Sequence, residues 1–168
     1  MIRIAITGPE SSGKTTLCQS LSEHFNVDFI PEFARTYLEI TDGKYKQPDL
    51  DEIAKGQLES ITSSQSKINV CDSDFSVLEI WSDYKYGNVS DYISEIVKKD
   101  LFDLHILCTP DIPWEEDALR ENPDTRDHLF ELYKESLNRN DKNFIIVSGE
   151  HKSRIEKSLQ FIDLILKV

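Results

Sequence analysis

The chain has 168 residues, of which 39% are hydrophobic and 30% charged, and this is enough for one globular domain with a buried core. Its formal net charge is −12, so its field repels nucleic-acid backbones and anionic membrane surfaces. We therefore expect residues 1–168 to form a single domain whose partners are neither nucleic acid nor membrane. No leader pattern precedes the first predicted strand, and a cytoplasmic location is expected.

The first element is an alternating apolar segment that runs into a glycine-bounded loop. Ile2–Thr7 has the alternation of a strand, and residues 8–15 read GPESSGKT, which fits the pattern G-x-x-x-x-G-K-[ST]. Leu17, Leu21 and Phe25 then recur at helical spacing. A strand, this loop and a helix N-terminus together form a nest of backbone N–H donors for phosphate. The residues predicted to bind a nucleoside triphosphate are Gly8, Glu10, Ser11, Ser12, Gly13, Lys14, Thr15 and Thr16.

The same loop predicts the chemistry of ATP and Mg²⁺. Lys14 is expected to reach the β- and γ-phosphates, and the Thr15 hydroxyl is expected to hold the metal. Asp72 follows the apolar run Ile68-Asn69-Val70-Cys71 and is predicted to hold a water of the metal beside Thr15. The alternative for Asp72 is a structural cap of the next helix.

The remaining elements alternate strands with helices. Further strands are predicted at residues 27–30, 68–71, 104–108 and 144–147, and helical patterns near residues 32–38, 49–61, 75–82, 92–97, 129–137 and 155–166. This order predicts an α/β protein with the P-loop NTPase fold: a five-stranded parallel sheet flanked by helices on both faces. The acidic stretch 113–127 is predicted to be a small lid.

Acidic residues follow two of the predicted strands, where ligands of such sheets bind. Asp74 lies two residues beyond Asp72, and both carboxylates would point into the cleft if the chain stays extended there. Glu32 follows Pro31, which ends the second predicted strand, and Arg35 lies one helical turn further on. Either Glu32 or Asp74 can accept the proton of an attacking hydroxyl group. The alternative for Glu32 is a surface ion pair with Arg35.

The lid carries two arginines in an otherwise acidic stretch. Arg120 and Arg126 can clamp a transferring phosphoryl group, or they can pair with neighbouring acids on a solvated helix. Trp114 and Asp117 in the lid, with Trp81 in a helix, are candidates for contact with the acceptor, because a flat ring can stack on an indole.

Four segments resemble NadR-type ribosylnicotinamide kinase domains, in the order found there. They are residues 8–16, residues 31–35 (PEFAR), residues 72–75 (DSDF) and residues 114–120 (WEEDALR), and together they span most of the chain. The resemblance implies phosphorylation of the 5′-hydroxyl of nicotinamide riboside by ATP and Mg²⁺, giving nicotinamide mononucleotide. It covers the kinase module alone, so neither adenylyl transfer nor DNA binding is expected.

Residue by residue, the resemblance assigns Lys14 and Thr15 to ATP and the metal. It implies that Glu32, Arg35 and Asp74 face the nucleoside, while Arg120 and Arg126 belong to the lid. Ala118 stands where the resemblance leads us to expect glycine, which implies a stiffer lid.

Two other functions remain open from the sequence. A P-loop ATPase or switch would signal to a protein partner, but no glutamine closely follows Asp72 to orient water. A nucleoside monophosphate kinase would need several basic groups for the acceptor phosphate, whereas Arg35 is the one basic residue predicted near the acceptor. The sequence therefore favours a small-molecule nucleoside as acceptor, and it carries no sign of the oligomeric state.

Overall fold

The computed structural model describes residues 1–99, 101–117 and 124–167. Within them the strands are β1 (Ile2–Thr7), β2 (Ile68–Asp72), β3 (Leu104–Cys108) and β4 (Phe144–Val147). The helices are α1 (Lys14–Phe25), α2 (Phe33–Ile40), α3 (Gln47–Ser63), α4 (Ser76–Tyr86), α5 (Asp91–Lys98), α6 (Arg126–Arg139) and α7 (His151–Leu166). The alternation predicted from the sequence is confirmed, and so is the α/β P-loop architecture with a parallel sheet between helices.

The strands pair in the order β2-β1-β3-β4, and every pairing is parallel. Side chains on successive positions of β1 enter different cores, as the two-residue period of a strand requires. Ile4 and Ile6 pack with α1 and α7 on one face, whereas Ala5 packs with α2 to α5 on the other. A third apolar cluster joins Leu107 of β3 to α4 and α6. Both faces of the sheet are therefore covered, which explains the continuous apolar runs in its strands.

The two central strands send their following helices to different faces of the sheet. The chain leaves β1 for α1 on one face, and it leaves β3 for α6 on the other. A crevice opens beyond the carboxyl ends of two neighbouring strands when their connections diverge in this way. The glycine-bounded loop after β1 and residues 109–117 after β3 meet at this place.

The prediction of a fifth strand at residues 27–30 is wrong for the described chain. Its last residue alone, Ile30, pairs with Cys71 as an isolated parallel bridge, so the described sheet has four strands. The segment is short because Asn26 ends α1 in the left-handed conformation and Pro31, which lacks an N–H, follows Ile30. The bridge still fixes this segment against β2 and so places the residues that follow it.

Candidate active site

The loop between β1 and α1 depends on two glycines for its path. Gly8 has φ 134°, and a Cβ atom built there would lie 2.7 Å from the carbonyl oxygen of Cys108. Gly13 has φ 81° and is the N-cap residue of α1. Side chains would be strained at both positions, and at Gly8 a side chain would push the loop off the end of β3. The loop is therefore pressed against the strand end.

A cavity with a volume of about 300 Å³ opens beside this loop. Of the residues predicted from the sequence, it brings together Gly8, Glu10, Ser11, Ser12, Gly13, Lys14, Thr15, Thr16, Glu32, Arg35 and Trp81. The Lys14 ammonium donates a hydrogen bond to the Pro9 carbonyl at 2.8 Å, so it lies over the loop that it is predicted to serve. The loop and three of the acceptor candidates, Glu32, Arg35 and Trp81, thus share one cavity.

Two arginines hold consecutive carbonyl groups of the loop. The Arg126 guanidinium donates to the Ser11 carbonyl at 3.1 Å and to the Ile112 carbonyl at 3.0 Å. The Arg154 guanidinium, 2% exposed, donates to the Ser12 carbonyl at 2.8 Å. Hydrogen bonds from a charged donor are stronger than neutral ones, and these two fix the orientation of the adjacent peptide groups of the loop.

Arg154 also joins the loop to the ends of two other strands. It donates to the Gly149 carbonyl at 2.9 Å and to the Thr109 carbonyl at 3.2 Å, and it pairs with the Asp111 carboxylate. Partial burial works to raise the pKa of Asp111, but hydrogen bonds from the Thr109 hydroxyl and the Gly149 N–H, followed by the charge of Arg154, hold it below its usual value. Arg154 is thus the central cation behind the phosphate loop.

Thr15 and Asp72 meet at the position predicted for a metal ion. The Thr15 hydroxyl donates to Asp72 Oδ2 at 2.6 Å, and the Asp72 side chain is 5% exposed. The second oxygen, Oδ1, is buried and has no hydrogen-bond partner within the described chain. A buried carboxylate oxygen beside a hydroxyl fits the oxygen ligands that Mg²⁺ takes, so Thr15 and Asp72 could hold this ion together with phosphate and water. No group of three or more His, Cys, Asp or Glu among the described residues is placed to bind a metal by itself.

Glu32 lines the cavity from the N-cap position of α2. Its Oε1 accepts a hydrogen bond from the Ser73 hydroxyl at 3.2 Å, and the side chain is half-buried. Burial raises the pKa of the Glu32 carboxyl above its usual value, and Lys14 opposes this rise. No ion pair joins Glu32 to Arg35 in the described chain, so the surface-pair alternative does not describe Glu32.

Asp74 does not share the cleft with Asp72, so the prediction that both carboxylates point there is wrong. Ser73 has φ 79°, which breaks the extended backbone on which the prediction depended and turns Asp74 inward. Its Oδ1 accepts from the hydroxyls of Thr7 at 2.9 Å and Ser76 at 2.5 Å. His105 Nε2 lies 3.4 Å from Oδ2. Asp74 is 4% exposed and borders a separate cavity of about 10 Å³.

The lid residues fall partly within the described chain. Arg35 pairs with Asp117 at 3.0 Å, which joins α2 to the start of the lid. Trp114 does not line the cavity; its ring centroid lies 5.7 Å from the guanidinium carbon of Arg126. Arg126 contacts the loop and not an open phosphate site, and Arg120 lies outside the described residues.

Several residues that the sequence interpretation missed line or support the cavity. Tyr45 accepts a hydrogen bond from the Trp81 indole at 2.8 Å, with ring centroids 4.7 Å apart, and Lys85 lies over its ring. Tyr133 also lines the cavity, where burial and then the nearby Glu32 raise the pKa of its phenol. Tyr133 shares a helical face with core leucines, so its pattern resembles that of a core residue. Arg154 lies in a helix with no motif of its own.

A parallel sheet with a phosphate-binding loop after a central strand and a Thr–Asp pair behind it defines a P-loop nucleoside-triphosphate-binding protein. A family model described as an AAA domain matches residues 3–154, and the chain belongs to that family. Within the described part of the chain, no helix is both long and apolar enough to cross a membrane.

Curated relatives confirm the resemblance seen in the four motifs. The trifunctional NAD biosynthesis/regulator protein NadR of Escherichia coli is 28% identical over 95% of this chain, and the NadR protein of Salmonella typhimurium is 29% identical over the same share. The chain spans 41% of the length of each relative.

Solved structures share the fold over nearly the whole chain. A NadR protein in complex with NR matches with a TM-score of 0.80 and 21% identity, covering 99% of this chain and 50% of that one. A deoxyadenosine kinase from M. mycoides with bound dATP matches with a TM-score of 0.63 and 17% identity, covering 97% of this chain and all of that one.

Because two arginines anchor the loop, substitution of Arg154 tests whether this anchoring sets the affinity for ATP. Arg154→Lys loses the planar fork that reaches the Ser12 and Thr109 carbonyls together, so we expect the Kd for ATP to rise about tenfold or more. Isothermal titration calorimetry measures this, with thermal unfolding to show that the variant is folded. Arg139→Lys is the matched control, because Arg139 is 63% exposed and pairs with Glu79 away from the loop. A folded Arg154→Lys protein with wild-type affinity would contradict the anchoring role.

Proposed function

We propose that the chain transfers the γ-phosphoryl group of ATP to the 5′-hydroxyl of a nucleoside, with nicotinamide riboside as the leading acceptor. The observation that carries the proposal is the position of Glu32, a half-buried carboxylate in the same cavity as Lys14 and the phosphate loop. A base beside a triphosphate site is what hydroxyl phosphorylation needs.

In this reaction the oxygen of the 5′-hydroxyl group attacks the γ-phosphorus of ATP, and ADP leaves. Glu32 accepts the proton of that hydroxyl group. Lys14 binds the β- and γ-phosphates, and the loop N–H groups hold the negative oxygens. Thr15 and Asp72 would hold Mg²⁺, which supplies charge neutralisation on the phosphates. The raised pKa of Glu32 makes it a better proton acceptor than an ordinary glutamate, provided it is deprotonated.

The cavity favours an acceptor without a phosphate group. Among the described residues that line it, the acidic ones are Glu10, Glu32 and Glu115, and the basic ones are Lys14 and Arg35. Lys14 belongs to the donor side, and Arg35 is already paired with Asp117. A phosphate on the acceptor would lie near the Glu32 carboxylate, and Arg35, the basic residue on that side among the described lining residues, is already engaged with Asp117, which is unfavourable in a partly buried site.

The aromatic wall favours nicotinamide riboside among nucleosides. Trp81 and Tyr84 line the cavity, and the nicotinamide ring of this nucleoside is a cationic pyridinium, which aromatic faces attract. The chain's net charge of −12 adds a long-range field that attracts a cation. The solved NadR complex with NR supports the same acceptor by analogy. A cytoplasmic location for this activity stays a prediction.

Another nucleoside is the second candidate acceptor. The match to the deoxyadenosine kinase covers 97% of this chain and all of that kinase, which favours a purine or pyrimidine nucleoside as the alternative. An ATPase switch acting on a protein partner has weaker support, because Glu32 and the aromatic wall would then have no substrate.

A panel of nucleosides tests the proposal directly. Purified protein with MgATP is expected to release ADP faster with nicotinamide riboside than with adenosine, deoxyadenosine, cytidine or uridine. Mass spectrometry of the reaction mixture is expected to detect nicotinamide mononucleotide as the product. Faster turnover with another nucleoside would reassign the acceptor. Slow ATP hydrolysis unaffected by every nucleoside would contradict kinase activity and favour the switch.

A pair of isosteric variants distinguishes the role of Glu32 from that of Asp74. Glu32→Gln is expected to lower kcat by at least about 100-fold with little change in the Kd for ATP, because a general base contributes about 10²–10⁴. Asp74→Asn keeps a side chain of the same shape within the buried network of Thr7 and Ser76, so its main expected effect is a lower unfolding free energy. Steady-state kinetics and chemical denaturation measure the two effects. The reverse result would make Asp74 the base.

The pKa of Glu32 predicts the acid limb of the pH profile. Proton abstraction needs the carboxylate, and burial raises the pKa of Glu32, so activity falls with decreasing pH at a higher pH than for an ordinary glutamate. The measurement is kcat/KM for the nucleoside across the acidic range at saturating MgATP. The Asp74→Asn variant should retain this acidic fall in kcat/KM, and the Glu32→Gln variant should lose it. If the fall persists in Glu32→Gln, a group other than Glu32 causes it.

A further inference from the structure

The start of α2 is capped from a neighbouring helix. Glu32 occupies the N-cap position of α2, yet its side chain makes no capping hydrogen bond. Instead, Oε1 of Gln57, in the middle of α3, accepts the N–H of Phe33 at 2.7 Å. Gln57 is 4% exposed, so this polar side chain is buried where it meets the first residue of α2. A free N–H of a helix start is normally satisfied by the N-cap side chain or water.

Gly56, the residue before Gln57, also holds Phe33, in this case through packing against its ring. A Cβ atom built on Gly56 would lie 2.3 Å from the nearest carbon of the Phe33 ring, so the ring rests on the bare backbone of α3. Glycine within a helix is disfavoured by propensity, and here its position is explained by this close approach. Phe33 is therefore held through its backbone by Gln57 and through its ring by Gly56.

The segment before Glu32 is held from the other side by the sheet. Ile30 donates its N–H to the Val70 carbonyl and accepts the N–H of Asp72, each at 2.8 Å. One residue, Pro31, separates this bridge from Glu32. Glu32 thus lies between two fixed points, β2 and α3, and the Ser73 hydroxyl contacts its carboxylate between them.

We propose that Gln57, supported by Gly56, is a positioning residue for the general base: it holds the N–H of the first residue of α2 and so fixes the helix start from which the Glu32 carboxylate faces the phosphate cavity. The catalytic part of this inference rests on the proposed function. The side chain of an N-cap residue serves the N–H of the second or third helical residue, so the N–H of Phe33 depends on Gln57. Without this acceptor the start of α2 shifts towards another partner such as water, and the Glu32 carboxylate moves from its place in the cavity.

The test compares Gln57→Met, which keeps the length of the side chain but removes the acceptor, with Gln57→Glu, which keeps an acceptor oxygen. Glu59→Met is the matched control, since it places the same residue on an exposed site of α3. For each protein the measurements are kcat, the KM for ATP, thermal unfolding, and the titration of Glu32 by carboxyl ¹³C NMR, with Glu32→Gln assigning the resonance.

Gln57→Met is expected to lower kcat about tenfold or more while the KM for ATP stays within about twofold. The Glu32 pKa should fall towards that of an ordinary glutamate, because the carboxylate leaves its buried position. Gln57→Glu should recover most of kcat, and Glu59→Met should match the wild type in every measurement. Gly56→Ala leaves Gln57 intact and should change kcat and the Glu32 pKa in the same direction as Gln57→Met.

A Glu32 titration identical in the wild type and in folded Gln57→Met or Gly56→Ala overturns the inference, whatever the turnover shows. Loss of kcat equal in Gln57→Met and Gln57→Glu also overturns it, since capping would then not be the cause. Failure of the proposed function looks different: the wild-type protein would phosphorylate no nucleoside, while the Glu32 titration would still report whether Gln57 positions the carboxylate.

Discussion

Two consecutive peptide carbonyls, those of Ser11 and Ser12, are each held by an arginine that comes from elsewhere in the chain. A phosphate-binding loop works only if its N–H groups converge on one point, and fixing the carbonyls limits how the peptide groups can rotate. Arg126 enters from the start of α6 and Arg154 from α7, so the loop is braced from two helices. In a protein with a net charge of −12, these cations and Lys14 concentrate positive charge where the triphosphate would bind.

Three acidic side chains near the strand ends have different environments, and the backbone conformation determines the environment that each one enters. Asp72 ends β2 and meets Thr15, while the left-handed residue Ser73 turns Asp74 into a buried network. Glu32 reaches the cavity from the start of α2, whose first N–H is held by Gln57. A candidate metal ligand, a structural carboxyl group and a candidate base thus arise from similar side chains, with Asp72 and Asp74 two positions apart and Glu32 from another part of the chain.

Local motifs made much of this predictable. The P-loop pattern with its strand and helix, the acid after β2 and the alternation of elements depend on nearby residues, so sequence spacing reveals them. Asp74 could not be placed correctly, because the positive φ of Ser73 is set by tertiary context and not by a glycine that the sequence would display. Arg154 acts through contacts across the sheet and has no local signature. Gly56, an isolated glycine within a helical pattern, was the one visible sign of the contact between α2 and α3.

The carboxylates that line the cavity also bear on how a reaction there would end. A nucleoside gains about two negative charges when it is phosphorylated, and Glu10, Glu32 and Glu115 remain on the wall beside it. For the reaction proposed, the Glu32 carboxylate would repel the phosphorylated product more than the uncharged hydroxyl of the substrate, and Arg35 is already paired with Asp117. In that reaction the electrostatics of this wall would favour departure of the nucleotide.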